Sequence, residues 1–303
     1  MSILVVGSVA FDSIKTPFGV AEEVLGGSAS YFSTSSSFFT EVSLVAVVGD
    51  DFPQKHVDFL KSRNIDLAGL QRTQGKTFRW KGRYDYDLNE AHTLETHLNV
   101  FESFQPVIPE NYRDAEYVFL ANIDPELQLE VLQQVKNPKL VACDTMNFWI
   151  EGKKAELIKT LSKVDILLIN EAEVRQLADE PNLLKAADIV RGFGPKTLVV
   201  KRGEYGVLMF GEGSIFSAPA YPLEEVFDPT GAGDTFAGGF VGYLAATRNL
   251  EEQNLRKATV FGTVMASFTV ERFSLDRLKE IDYSEIENRY KRIKLLTEFA
   301  DID

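Results

Sequence analysis

Between residues 117 and 201 one pattern recurs: a short apolar run, a helical stretch, then another apolar run. The runs cover residues 117–121, 140–144, 164–170 and 197–201, and stretches near 126–135, 153–161 and 172–177 read as the helices between them. A strand that is apolar without alternation needs cover on both faces, and successive parallel strands need a crossover that a helix supplies. The pattern therefore predicts an α/β fold built on a mostly parallel sheet between helical layers.

The N-terminal half follows the same plan with two interruptions. Residues 3–9 read as a buried first strand rather than a signal peptide, because no basic leader precedes them and Asp12 soon breaks the apolar run. Gly26-Gly27 opens a helix over 28–39, a strand follows at 42–48, and 53–63 reads as another helix. Residues 11–25 are an extended excursion broken by Pro17 and Gly19. From 73 to 105 aromatic and charged residues alternate, as in Trp80-Lys81-Gly82-Arg83-Tyr84, which predicts a small exposed sheet. The expectation is one domain over residues 1–303, with 11–25 and 73–105 inserted as a lid. Residues 207–210 and 214–217 read as a hairpin, and the chain is mainly helical from Ala232 onward.

The residues that point to chemistry lie at that last transition, Asp228-Pro229-Thr230-Gly231-Ala232-Gly233-Asp234-Thr235-Phe236-Ala237-Gly238-Gly239-Phe240. Pro229 ends what precedes it, and Gly231 and Gly233 admit dihedrals and close approaches that a side chain would block. A helix start offers unpaired N–H groups and the positive end of the helix dipole, so an anion such as phosphate can bind there. Asp234, in the first turn, is placed to take a proton from a hydroxyl while those amides bear the charge of a transferring phosphoryl group. A tight turn with a helix-stabilising aspartate explains the same residues locally, and Gly238, Gly239 and Gly242 serve equally for close helix packing.

The whole string closely resembles the C-terminal signature of the ribokinase-like, or PfkB-type, carbohydrate kinases. The resemblance spans essentially the entire chain and implies a three-layer α/β/α fold with a small β lid, and an ATP- and Mg²⁺-dependent kinase acting on a hydroxyl of a sugar or related polyol. It implies that Gly231, Ala232 and Gly233 supply the anion hole and Asp234 the base. Asp228 and Thr230 match positions that bind K⁺ in members activated by a monovalent cation. Asp12 would hold acceptor hydroxyls, and Gly26 and Gly27 would line the acceptor pocket where the lid meets the body. Asn170-Glu171-Ala172-Glu173 is similar to the family's Asn-x-x-Glu motif, which implies that Asn170 and Glu173 organise Mg²⁺, its waters and the phosphates; a capped helix with an N-terminal acid explains it too. Lys201, Gly203 and Gly206 fall in a turn that borders the nucleotide in the family. Where many members carry Asn after the paired glycines this chain has Tyr31, which either stacks on a substrate ring or packs.

A nucleoside acceptor is the neighbouring alternative, since Trp80, Tyr84 and Tyr86 could stack on a base. Arg79, Lys81 and Arg83 raise a phosphorylated sugar, and a non-catalytic sugar or nucleotide sensor is the alternative of a different class. Thirty-two basic against 45 acidic residues, a net charge of −13, argue against a nucleic-acid or anionic-membrane surface. Cys143 is the one cysteine, so no internal disulfide forms, and His56, His92 and His97 lack zinc-protease spacing. No run approaches the ~20 apolar residues of a membrane span. The expectation is a soluble cytoplasmic protein, with the lid strands as a candidate homodimer contact.

Overall fold

A computed structural model describes residues 2–88 and 90–300. The chain runs through β1 (Ser2–Val6), β2 (Ala10–Thr16), β3 (Gly19–Gly26), α1 (Ser28–Ser36), β4 (Glu41–Gly49), α2 (Gln54–Ser62), β5 (Ile65–Thr73), β6 (Phe78–Tyr84) and β7 (Ala91–His97). Two short 3₁₀ turns lead to β8 (Tyr117–Leu120), α3 (Pro125–Gln134), β9 (Leu140–Asp144), α4 (Asn147–Gly152), α5 (Lys154–Leu161), β10 (Ile166–Asn170), α6 (Glu171–Ala178), α7 (Leu183–Arg191) and β11 (Thr197–Lys201). The hairpin β12 (Val207–Phe210) and β13 (Ile215–Ala218) follows. Helices α8 (Ala232–Thr247), α9 (Glu252–Thr269), α10 (Asp276–Glu280) and α11 (Tyr283–Leu296) complete the described chain.

The large sheet has the order β13-β12-β11-β10-β9-β8-β1-β4-β5. It is parallel from β5 to β11, with β12 and β13 added as an antiparallel hairpin. Successive residues of a strand point to opposite faces, so each central strand feeds two cores. Ile3 and Val5 pack with Phe32, Phe119, Phe240 and Met265 under α1, α8 and α9, whereas Leu4 and Val6 pack with Val131, Leu157 and Leu177 under α3, α5 and α6. The burial of both faces explains why these strands read as continuous apolar runs. Helix α8 lies close between α1 and α9 because a Cβ on Gly238 would stand 2.4 Å from the Phe32 carbonyl oxygen.

The second sheet has the order β3-β2-β6-β7. Its hairpins β2–β3 and β6–β7 are antiparallel, but β2 and β6 run parallel, in a register that sets Asp12 beside Trp80. The excursions expected at 11–25 and 73–105 contribute these four strands, although Thr73 closes β5 of the large sheet. The edge strand β5, Ile-Asp-Leu-Ala-Gly-Leu-Gln-Arg-Thr, gave no strand signal in the sequence because it is half exposed and broken by a register shift near Val45. Among the described residues no helix is long and apolar enough to cross a membrane.

Candidate active site

The turn before α8 is held by its own side chains. Asp228 is fully buried, and its two oxygens accept the amide hydrogens of Thr230 (2.9 Å) and Ser274 (3.2 Å). The Ser274 hydroxyl in turn donates to the Leu25 carbonyl (2.5 Å), which ties this turn to the end of β3. Gly231 caps α8 in the left-handed region at φ 74°, and a Cβ there would lie 2.4 Å from the Tyr31 ring. Both facts require glycine. In the first turn of α8 the amides of Gly233 and Asp234 have no partner within the helix, the condition for an anion site.

Asp234 keeps partial solvent access. Protein nonetheless surrounds it closely enough that desolvation, with Asp144 and Glu173 adding, pushes its carboxyl up to about 7 against the pull of Lys201. Lys201 ends β11 and pairs with Asp144 at the end of β9, Nζ to Oδ2 3.1 Å. Its Nζ lies 3.0 Å from where a Cβ on Gly233 would stand, so the ammonium rests against the start of α8. Burial alone would lower the lysine; Asp144, Glu173 and Asp234 outweigh it and hold it above its ordinary value.

Glu173 and Asn170 form a reciprocal cap at the start of α6. The Asn170 side chain accepts the Glu173 amide (2.8 Å) and Glu173 accepts the Asn170 amide (3.1 Å). The helix-cap explanation of Asn-x-x-Glu is thus realised, but Glu173 also faces the lysine: burial, with Asp144 adding, pushes it up to about 7. Gly203 and Gly206 lie in the turn after Lys201, both at positive φ. Gly206 has a packing reason, because a Cβ there would meet the Ala218 carbonyl at 2.2 Å.

Asp12, in β2, is 5% exposed, and burial, with Asp228 and Asp234 adding, raises it to about 7 against the Gly27 amide. A Cβ on Gly26 would stand 1.9 Å from its Oδ2, so glycine opens the space the carboxylate fills. Gly27 adopts φ 90° where a Cβ would strike the Ser8 carbonyl at 2.5 Å. Tyr31 packs its ring on Gly231, and its buried hydroxyl has no hydrogen-bond partner among the described residues. Burial, with Asp12, Asp228, Tyr84 and Asp234 adding, drives that phenol well above its usual value. Paired residues project from one face of a sheet, so Trp80 stands beside Asp12. Tyr84 lies on that face too, and its hydroxyl accepts a hydrogen bond from Thr230 (3.2 Å), linking the small sheet to the turn.

The model of the pfkB family of carbohydrate kinases matches residues 12–280. This chain belongs to that family. It is 34% identical over 258 residues to the cytidine kinase of Thermococcus kodakarensis, covering 83% of this chain and 91% of that one. Its fold matches the nucleoside kinase of Methanocaldococcus jannaschii, an archaeal member of the ribokinase family, at TM-score 0.78 and 22% identity over 96% and 98% of the two chains. An E. coli chain described as a ribokinase II, solved with ATP and Mg²⁺, matches at TM-score 0.79 and 17% identity over 96% and 99%. The ribokinase-like architecture expected from the signature is the one observed, and the family is one of kinases.

The residues expected at the site converge: Asp12, Gly26, Gly27 and Tyr31, the last a departure from the family's usual Asn, lie near Asp228, Thr230, Gly231 and Asp234, with Glu173 and Lys201 within reach of Asp234. Among the described residues no group of three His, Cys, Asp or Glu side chains is arranged to hold a metal by itself. The carboxylates present, Glu173 foremost, suit Mg²⁺ taken with phosphate oxygens and water, the usual habit of that ion. Asp144 is the residue that the sequence reading passed over. Its signal was available, an acid closing an apolar strand at the carboxyl edge of a parallel sheet where ligands gather, but β10 and β11 end in polar residues too, and only the fold says which of them meet.

Proposed function

We propose that this kinase transfers the γ-phosphoryl group of ATP to a ribose hydroxyl of a nucleoside, with Asp234 as general base and the first-turn amides of α8 as anion hole. The observation that carries the reading is that Asp12 and Asp234 lie within reach of each other's charge, while the small sheet sets Trp80 beside Asp12 and ties Tyr84 to the turn through Thr230. The likeness to a cytidine kinase supports a nucleoside over a free sugar. The basic residues of β6 speak against a phosphorylated sugar: Arg79 pairs with Glu23 and Asp51, Lys81 with Glu95, and Arg83 with Asp85.

Asp12 would fix the acceptor by accepting from its hydroxyls, and Trp80 would cover the base. Asp234, ionised, takes the proton of the attacking hydroxyl, a step typically worth roughly 10²- to 10⁴-fold in rate. The amides of Gly233 and Asp234, with Lys201, bear the negative charge that spreads as the phosphoryl group moves. ATP is the donor of that group, and Glu173 would hold Mg²⁺, which would supply neutralisation of the phosphate charge. The small sheet acts as a lid, which the bond from Thr230 to Tyr84 holds against the anion turn. Its outer strands β3 and β7 leave edges at which two copies could pair, and sedimentation reads whether they do.

ADP release across cytidine, uridine, adenosine, inosine, ribose, fructose and inositol, with and without K⁺, tests the proposal. A nucleoside is expected to give the highest kcat/KM. A free sugar in first place overturns the acceptor, and tight binding without turnover of any compound favours a sensor. The K⁺ arm reads whether Asp228 and Thr230 also serve a cation.

A further inference from the structure

One buried ammonium, that of Lys201, is shared by three carboxylates, and only Asp144 is placed to pair with it directly. The two side chains are 16% and 7% exposed. Asp144 is itself fixed at several points. Its Oδ1 accepts the Thr145 amide hydrogen (2.8 Å), while its backbone carbonyl accepts from Gln128 Nε2 (3.1 Å), which also donates to the Ala121 carbonyl (2.9 Å). With Oδ1 on Thr145 and Oδ2 on Lys201, both oxygens are engaged. The aspartate is suited to hold something rather than to react.

We infer that Asp144 is a positioning residue for phosphoryl transfer: it holds the Lys201 ammonium against the Gly233 backbone, at the anion-binding turn and away from the Asp234 carboxylate. The inference rests on the kinase reading above. A buried cation that loses its partner seeks another, because an unpaired charge away from water is costly. The carboxylates within reach of its field are Glu173 and Asp234. An Asp234 drawn into an ion pair is a weaker base, and a lysine drawn to it no longer meets the incoming phosphate. Asp144 thus lets one small space contain both a cation for the anion and a carboxylate for the proton.

A double-mutant cycle on the full chain tests this, with kcat, acceptor KM and the Kd of a fluorescent ATP analogue measured for D144N, K201M and the double variant. D144N is expected to lower kcat about 10- to 100-fold and weaken nucleotide several-fold, with acceptor KM within about twofold. In the K201M background the same change should cost no further loss. The acid limb of kcat in D144N alone should move to lower pH, since Asp234 loses a repelling carboxylate and gains a cation; the other charged or titratable groups near it, Glu173, Asp12, Tyr31, Tyr84 and Asp228, are unchanged. An unchanged kcat and Kd in D144N, or an equal loss with and without the lysine, overturns the inference. Should D144N fail to fold, D144E keeps the charge while displacing the ammonium by a methylene length. A reduced kcat at unchanged Tm is then expected, and a wild-type kcat overturns the inference. If the unaltered protein phosphorylates nothing, the kinase reading fails, and the nucleotide Kd arm still decides the role of Asp144.

Discussion

The large sheet and the small one meet across the cleft but are held by different forces. Strands β8 and β9 are buried along their whole length, and the helices on both faces fix their ends rigidly. In β7 no residue is buried, and the outer face of β6 carries ion pairs between half-exposed side chains, which water screens. The small sheet's firmer attachments are at its inner end, where Phe11 packs with Phe52 and His56, and at the bond from Thr230 to Tyr84. On the proposed function the contrast is a division of labour: the phosphoryl-transfer groups sit where packing is firm, and the acceptor-side groups Asp12, Trp80 and Tyr84 sit on the sheet whose outer strand opens at low cost.

The largest effect expected is on the rigid side. Asp234→Asn should lower kcat by about 10²- to 10⁴-fold with nucleotide affinity within a few-fold, as measured by ADP release and nucleotide titration. Near-wild-type turnover would remove the base from the start of α8, on the firmly packed side, and break the comparison. Next, the amides of β7 should exchange with solvent at least about 100-fold faster than those of β1, β8 and β9, read by hydrogen exchange. Equal protection would mean that the sheets open together.

Asp234 is raised to about 7, so kcat/KM should fall about tenfold per pH unit below that value, read from a pH profile, and about a hundredfold per unit where Asp12, raised likewise, must be ionised as well. The same shifts oppose stability in the sense that follows from linkage. Between about pH 4 and 7 the folded form keeps protons on Asp12, Glu173 and Asp234 that the unfolded chain has released, so their contribution is lost as pH rises through this window. Smaller effects belong to the small sheet. Trp80→Ala should raise nucleoside KM about 2- to 12-fold, as an aromatic contact of 0.5–1.5 kcal/mol implies, and leave ribose unaffected. Tyr84→Phe removes one hydrogen bond, about 1 kcal/mol. It should raise KM roughly fivefold and speed exchange in β6.

The comparison also separates what could be read from the sequence. Residues 140–144 and 197–201 announce buried strands because two covered faces leave no polar position, and the turn at 228–240 carries its own dihedral demands in Pro229, Gly231 and Gly233. The small sheet was visible only as texture. Nothing local fixes that β2 runs parallel to β6, or that Asp12 stands beside Trp80, since that register is set by partners some 70 residues apart. For the same reason the ion pairs of Arg79 with Glu23 and Asp51 could not be foreseen, whereas Arg83 meets Asp85 only two residues on.

Asp144 marks the boundary. The sequence by itself determined an α/β fold with a glycine-rich helix start that carries a carboxylate in its first turn, because backbone sterics, capping and periodicity act over a few residues. Which other charges reach that helix start was decided only by tertiary structure. The ends of β9, β10 and β11 lie side by side through the hydrogen bonds of a sheet, and the cost of burying charge then selects the pairing of Lys201 with Asp144 and leaves Asp234 free.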